Sequence, residues 1–218
     1  MSSRIDHIVV TAPDLGAGAV LVRRAFGVAL QTGGEHVRMG THNLLLRLGE
    51  ALFLEVLAPN PGAPKPGRPR WFGLDEMQPG APPRLATWVA RTTDIRATLA
   101  GSSESLGTVE PMSRGRLNWL ITIPDDGALP LGGIGPALIE WQTQDHPAAG
   151  LRDAGCSLVS LEAFHPEAPR ISALLRSILL EGPIAVAPLP AGSRPYLVAH
   201  LRTPTGVKAL SGRPGGDF

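Results

Sequence analysis

The chain is predicted to take an α+β fold built from two βαβββ modules and a C-terminal βαββ half-module. Three observations lead there. A strand–helix–strand–strand–strand order over residues 5–57 restarts at Leu85. Each helix of the repeat follows an aspartate suited to cap it, Asp14 and Asp94. The last strand of each copy, Leu52–Leu57 and Ala137–Trp141, is an apolar run carrying one glutamate, Glu55 and Glu140. A repeat of this length indicates duplicated modules rather than a solenoid.

Residues 5–10 alternate as a strand, with Ile5, His7 and Val9 on one face and Asp6, Ile8 and Val10 on the other. Pro13 ends it. Asp14 caps a helix whose Leu15, Ala19, Val22 and Phe26 share one face, and Gly27 stops that helix. Gly33-Gly34 reads as a turn or a close backbone approach, and Val37–Met39 as a short strand. Asn43–Leu48 and Leu52–Leu57 form a hairpin. These elements make module one, residues 1–58. Eight prolines between 59 and 84 mark a linker, too long for a bare connection. Within it, Trp71 and Phe72 are apolar in a polar stretch and read as a lid over a cavity. Module two, residues 85–147, has strands at 85–91, 117–123 and 137–142 and a helix capped at Thr93 or Asp94. The half-module, 148–210, has strands near 158–164, 184–187 and 196–201 and a helix over 166–180 opened by Pro166. Residues 211–218 read as a Gly/Pro-rich flexible tail.

Composition narrows the function classes. A chain of 218 residues, 43% hydrophobic, buries a real core. A net charge of +1 gives no global field for nucleic acid or an anionic membrane. No basic-then-apolar leader opens the sequence, and no apolar run approaches the ~20 residues that span a bilayer. A cytoplasmic location is expected. Lysine occurs only at Lys65 and Lys208 against many arginines, a bias of GC-rich bacterial genomes. The single Cys156 excludes an internal disulfide and has no adjacent base, so it reads as an inert thiol.

The ordered set Asp6-His7-Ile8, Gly33-Gly34-Glu35-His36, Gly40-Thr41-His42-Asn43, Leu52-Phe53-Leu54-Glu55, Leu117-Asn118-Trp119, Ile139-Glu140-Trp141 and His146-Pro147 resembles the glyoxalase-like domain family of the vicinal oxygen chelate (glyoxalase/bleomycin resistance/dioxygenase) superfamily. The resemblance implies paired modules curled into a cup with the site inside, and a homodimer as a common state. It also implies a divalent metal (Zn, Ni, Mn or Fe) held by first- and fourth-strand residues. Carried over, the ligands are His7, Glu55 and Glu140, with Glu55 and Glu140 also catalytic. Such an ion polarises a carbonyl and steadies an enediolate. Aligning Asp14 with Asp94 puts Thr87 opposite His7, where a further ligand is expected.

Buried glutamates are costly unless paired or coordinating a cation. Three readings therefore stay open. One is a metal-dependent lyase or isomerase acting on a small carbonyl or vicinal-oxygen compound. Another is a metal-free protein that binds or sequesters a small molecule, with the glutamates paired to Arg47, Arg91, Arg114 or Arg116. The third is an extradiol-type dioxygenase, for which two suitably placed histidines are wanting. In all three the ligand is a small molecule, without a nucleotide cofactor. His36, His42, Asn43, Arg116, Trp119 and Trp141 are the candidate substrate-binding residues, while Trp88 reads as core. His146, His165 and His200 carry no motif and receive no role.

Overall fold

The computed structural model describes residues 2–78 and 80–213. Module one comprises β1 (Ser3–Thr11), α1 (Leu15–Phe26), β2 (Gln31–His36), β3 (Thr41–Gly49) and β4 (Leu52–Pro59). Module two repeats the order with β5 (Arg84–Arg91), α2 (Ile95–Gly101), β6 (Thr108–Arg114), β7 (Leu117–Ile123) and β8 (Ala137–Trp141). The third unit holds β9 (Ser157–His165), α3 (Ala168–Ser177), the two-residue β10 (Leu180–Glu181), β11 (Ile184–Pro188), β12 (Tyr196–Thr203) and β13 (Gly206–Ser211). The α+β class and the duplicated order match the expectation.

Both modules enter one sheet, ordered β2-β3-β4-β1-β5-β8-β7-β6, with β10 also pairing β1. Inside each module the first strand runs parallel to the fourth, β1 beside β4 and β5 beside β8. The antiparallel β1–β5 pair is the seam between modules. One sheet face, bearing Val9, Leu57, Val89, Trp119, Ile121 and Ile139, forms the interior of the cup. The alternate residues, among them Ile8, Val10, Val56 and Trp88, face the main core. There α1 contributes Leu21, Val22 and Phe26, and the third unit contributes Leu161, Ala163, Leu197, Ala199 and Leu201 from its own sheet, ordered β11-β9-β12-β13. Trp88 is fully buried in this core and donates its indole N–H to the Ile134 carbonyl at 2.9 Å.

The helices begin where the aspartates predict. Asp14 Oδ1 accepts from Ala17 N at 2.8 Å and Asp94 Oδ1 from Ala97 N at 2.9 Å. Gly27 closes α1 in the left-handed region with φ 73°.

Three local expectations are corrected. Of the two readings of Gly33-Gly34 the close backbone approach holds and the turn does not: both glycines lie inside β2, at a shift of register against β3, packed on Asn43 and Arg114. Val37–Met39 is a 3-10 turn rather than a strand. The third unit carries an extra strand, β13, so Ser211 is ordered rather than frayed, and Gly212 N–H bonds the Leu197 carbonyl at 2.8 Å. Residues 214–218 of the expected tail lie outside the described residues.

The prolines of 59–84 keep that segment out of the sheet, and it returns across the mouth of the cup as a strap. A 3-10 stretch, Trp71–Glu76, places Trp71, Phe72 and Leu74 against the cup interior. Arg70 pins it, bonding the Gly40 carbonyl through Nε at 3.2 Å and Asp75 at 2.6 Å. Arg68 adds an ion pair to Glu110 of β6 at 3.1 Å.

Glycine at 33 is dictated by packing. A Cβ there would lie 2.0 Å from Asn43 Oδ1, an atom already fixed by the Gly34 N–H at 2.7 Å. Gly33→Ala is expected to destabilise the fold by roughly 1–3 kcal/mol, read from the shift in urea unfolding midpoint at unchanged m-value.

Candidate functional site

Adjacent residues of a regular strand point to opposite faces. Asp6 and His7 do not, because β1 is bulged between them: Ile5 pairs Ala90 and His7 pairs Val89, leaving Asp6 as an extra residue. The bulge turns both side chains toward the same region. Asp6 Oδ1 accepts from His7 Nδ1 at 2.7 Å, while Oδ2 accepts from Trp141 Nε1 at 2.9 Å and from His146 Nε2 at 3.0 Å. Asp6 is wholly buried. Burial by itself raises its pKa, but the hydrogen bonds from His146 and His7 and their charges outweigh it and hold the carboxyl well below the usual range. With Nδ1–H committed to Asp6, His7 directs Nε2 toward Glu55 Oε2, 3.7 Å away. The imidazole stacks on Phe53 with centroids 4.4 Å apart.

Glu55 is fixed from its other oxygen, which accepts from Asn43 Nδ2 at 2.5 Å. Asn43 Oδ1 in turn accepts from Gly34 N and from Arg114 at 3.3 Å. Arg114 also donates to His36 Nε2 at 3.3 Å, so His36 carries its proton on Nδ1 and points it at Thr41 Oγ1, 3.2 Å away. Burial first, then the charges of Arg114, His7 and His42, push the His36 pKa down to about 3. These groups surround a small cavity of about 30 Å³. Trp71 and Phe72 of the strap and Trp119 and Trp141 of module two wall it.

His7, Glu55, His36, Asn43, Trp119 and Trp141, all singled out in the sequence, thus converge on one cavity. Glu140, His42 and Arg116 do not. Glu140 sits on the opposite face of β8, accepting from Ile95 N at 2.8 Å and from Gln142 Nε2 at 2.6 Å, so it serves the start of α2. His42 neighbours Asn43 in β3 and therefore faces away from the cup. Arg116 is exposed in the β6–β7 turn, and Arg114, two residues earlier, is the guanidinium that enters. Asp6 and His146 were missed as site residues. Asp6 had been placed on the face opposite His7, since the bulge is invisible to simple alternation; an acid beside a histidine in an apolar strand is the signal that was available. Cys156 is buried, and desolvation and then Asp153 push its thiol pKa up, which fits an inert role.

Two bonds mark equivalent points of the modules: Ala12 N to Leu57 O at 3.0 Å, and Thr92 N to Ile139 O at 2.9 Å. With these superposed, Thr87 takes the place of His7 and Ala137, not Glu140, takes the place of Glu55. The donors facing the cavity are then His7, Glu55 and His36, all from module one, and His36 Nε2 is already taken by the Arg114 guanidinium at 3.3 Å. The described residues contain no group of three or more His, Cys, Asp or Glu able to hold an ion. The positive guanidinium of Arg114 lies against His36 and Asn43 on the same wall. Divalent metals are common in the superfamily, but these residues do not fit one.

Paired βαβββ modules joined through their first strands into one curled sheet define the vicinal oxygen chelate architecture. The sequence profile of the glyoxalase-like domain matches residues 5–179, and the chain belongs to that family. No curated protein matches it significantly. Among solved structures it is similar to a hypothetical protein from Staphylococcus aureus, with a TM-score of 0.56 at 14% identity over 97% of this chain and 85% of that one. It is also similar to methylmalonyl-CoA epimerase of Streptomyces coelicolor in complex with 2-nitronate-propionyl-CoA, with a TM-score of 0.43 at 19% identity over 66% of this chain and 100% of that one. The epimerase of Mycobacterium tuberculosis gives 0.40 at 17% identity over 63% and 85%. No helix among the described residues is long and apolar enough to cross a membrane.

Two outcomes are expected. Glu140→Ala should cost about 1 kcal/mol of stability, the scale of a lost helix-start acceptor, read from the urea unfolding midpoint. His36 should make stability pH-dependent. Its folded pKa lies below the ordinary 6.5, so its contribution is complete above pH 6.5 and is lost toward pH 3 as the unfolded chain takes up a proton first. The slope from this group reaches about 1.4 kcal/mol per pH unit, and unfolding of His36→Gln across that range should show it removed.

Proposed function

We propose that the cup binds a small organic anion bearing a carbonyl group, and that His7 and Glu55 move a proton on it, a lyase or isomerase chemistry of glyoxalase type without a resident metal. The observation that supports this most is the Asp6–His7 pair at 2.7 Å, which presents Nε2 to Glu55 inside an aromatic-walled cavity.

Each residue has a part in this reading. Trp71, Phe72, Trp119 and Trp141 offer flat apolar walls to the ligand body. The Arg114 guanidinium attracts its carboxylate or steadies charge developing on a carbonyl oxygen. His7 Nε2 takes the proton from the adjacent carbon, and the imidazolium that forms is held by the buried carboxylate of Asp6. Glu55, oriented by Asn43 with Oε2 3.7 Å from His7 Nε2, receives that proton from the imidazolium and returns it at the neighbouring position, leaving both groups as they began. Return to another carbon isomerises the ligand, and loss of a leaving group from the carbanion makes the reaction an elimination.

The cavity is far smaller than the roughly 300–1,000 Å³ of ordinary ligand sites, so the strap must shift to admit substrate. Phe72 is held at φ 58°, a left-handed conformation that costs a bulky residue about 1–3 kcal/mol. That strain favours displacement of the strap.

The test uses pyruvate and related 2-oxo acids in deuterated water, with exchange of the carbon-bound protons followed by NMR. Wild-type protein is expected to speed exchange, and His7→Gln to slow it by at least about 100-fold, the usual worth of a general base, while Arg114→Gln chiefly weakens binding. Exchange equal in wild type and His7→Gln would sink the proposal. Saturable binding with no exchange would instead favour a sequestering protein, the reading to which the aromatic walls lend support.

A further inference from the structure

Away from the cup, on the other side of the strap, a hollow of about 490 Å³ lies between the 3-10 segment, the start of β5 and the end of β13. Trp71 and Phe72 line the cup, whereas Gly73, Glu76 and Met77 line this second hollow. Three arginines face it from separate parts of the chain: Arg84 opens β5, Arg194 precedes β12 and Arg213 follows β13. Glu76 is the single acid on its lining.

The charges are unbalanced. Among the described residues none of the three arginines forms an ion pair, although Arg4, Arg38, Arg68, Arg70 and Arg170 each reach a carboxylate within 3.1 Å. Burial and then the positive charge of Arg194 lower the pKa of Arg84, and Glu76 offsets this only in part. Arg213 is held in place by packing its guanidinium over the Tyr196 ring, 5.8 Å from the centroid. Arg194 and Arg213 also face an adjoining hollow of about 390 Å³ that extends the basic surface past Tyr196. Like charges gathered on one concave wall repel one another and focus a positive potential into the space between them.

We infer that this hollow is a second binding site, specific for a small organic molecule bearing a multiply charged oxyanion, a phosphate or a polycarboxylate. The planar donor forks of Arg84, Arg194 and Arg213 suit two-pronged bonding to such oxygens. Met77, Pro82, Pro83 and Leu129 line the remainder and give the organic part an apolar bed. The site is independent of the proton-transfer reading of the cup and shares none of its residues.

The experiment is calorimetric titration of the full chain at low ionic strength with inorganic pyrophosphate, and in parallel with citrate. One saturable site is expected. Arg84→Gln and Arg194→Gln should each weaken it roughly tenfold, or about 1.4 kcal/mol, and added salt should weaken it further. Glu76→Gln should tighten it, because it removes the opposing carboxylate. Arg24→Gln, an exposed arginine at the end of α1, should change nothing. Pyrophosphate binding more tightly than citrate assigns the phosphate class, and the reverse order assigns the polycarboxylates. The inference is overturned if wild type shows no saturable binding. It is equally overturned if Arg84→Gln and Arg194→Gln bind as wild type does, or if Arg24→Gln loses as much as they do, which would reveal diffuse attraction to a basic surface.

Discussion

A carboxylate with no access to water must be satisfied by the protein around it, and the constraint imposed by Asp6 runs through the whole site. Its two oxygens collect His7, Trp141 and His146, with Arg91 Nη1 at 3.9 Å. Those donors come from β1, from the end of β8, from the segment after β8 and from β5. One buried charge therefore ties both modules together and fixes the rotamer and tautomer of the histidine that faces the cavity. Withdrawing any donor leaves a buried anion short of compensation, a far larger penalty than the net worth of an ordinary hydrogen bond. The bulge in β1 is what allows this, since a regular strand would send Asp6 and His7 apart.

A second chain of contacts carries the arrangement across the cup. Glu55 is held by Asn43, Asn43 by Gly34 and Arg114, and Arg114 by His36. The chain begins on β4, passes through β3 and β2 of module one and ends on β6 of module two. Gly33 and Gly34 let β2 come close enough for it, because a side chain at either would collide with Asn43 or Arg114. The motif Gly33-Gly34-Glu35-His36 is thus a packing device as well as a source of His36.

The fold was legible in the sequence because its signals are local and repeated. Asp14 and Asp94 mark two helix starts by the same chemistry, and apolar runs flanked by turn residues mark the strands. Of the site, His7, Glu55, His36 and Asn43 of module one and Trp119 and Trp141 of module two could be read, whereas Asp6 and the true place of Glu140 could not. Glu55 is enclosed by apolar neighbours on both sides and is buried. Glu140 stands in a similar run but nearer a strand end, and a period of two residues decides its face. Three residues separate it from Ala137, the true counterpart of Glu55, and an odd offset sends a side chain through the sheet. Matching glutamate to glutamate by eye could not reveal that offset, which depends on loop lengths between strands. His146 was beyond reach for a different reason, and Arg114 stood only as one of four possible partners for the glutamates. Each acts across a long sequence separation, and nothing near either one announces its partner.

Duplication explains the architecture, and divergence within it explains the site. The modules keep the same order, the same helix caps and the same bond from the first turn to the fourth strand. At the positions that face one another, however, module one has His7 and Glu55 where module two has Thr87 and Ala137. A symmetric pair of such sites would gather four metal donors in one cup. Here only module one has them, and Trp119, Trp141 and the guanidinium of Arg114 line the same cavity from module two. The strap between modules completes the change by laying Trp71 and Phe72 over the mouth. The result is a small, aromatic-walled cavity onto which His7, oriented by Asp6, directs its Nε2.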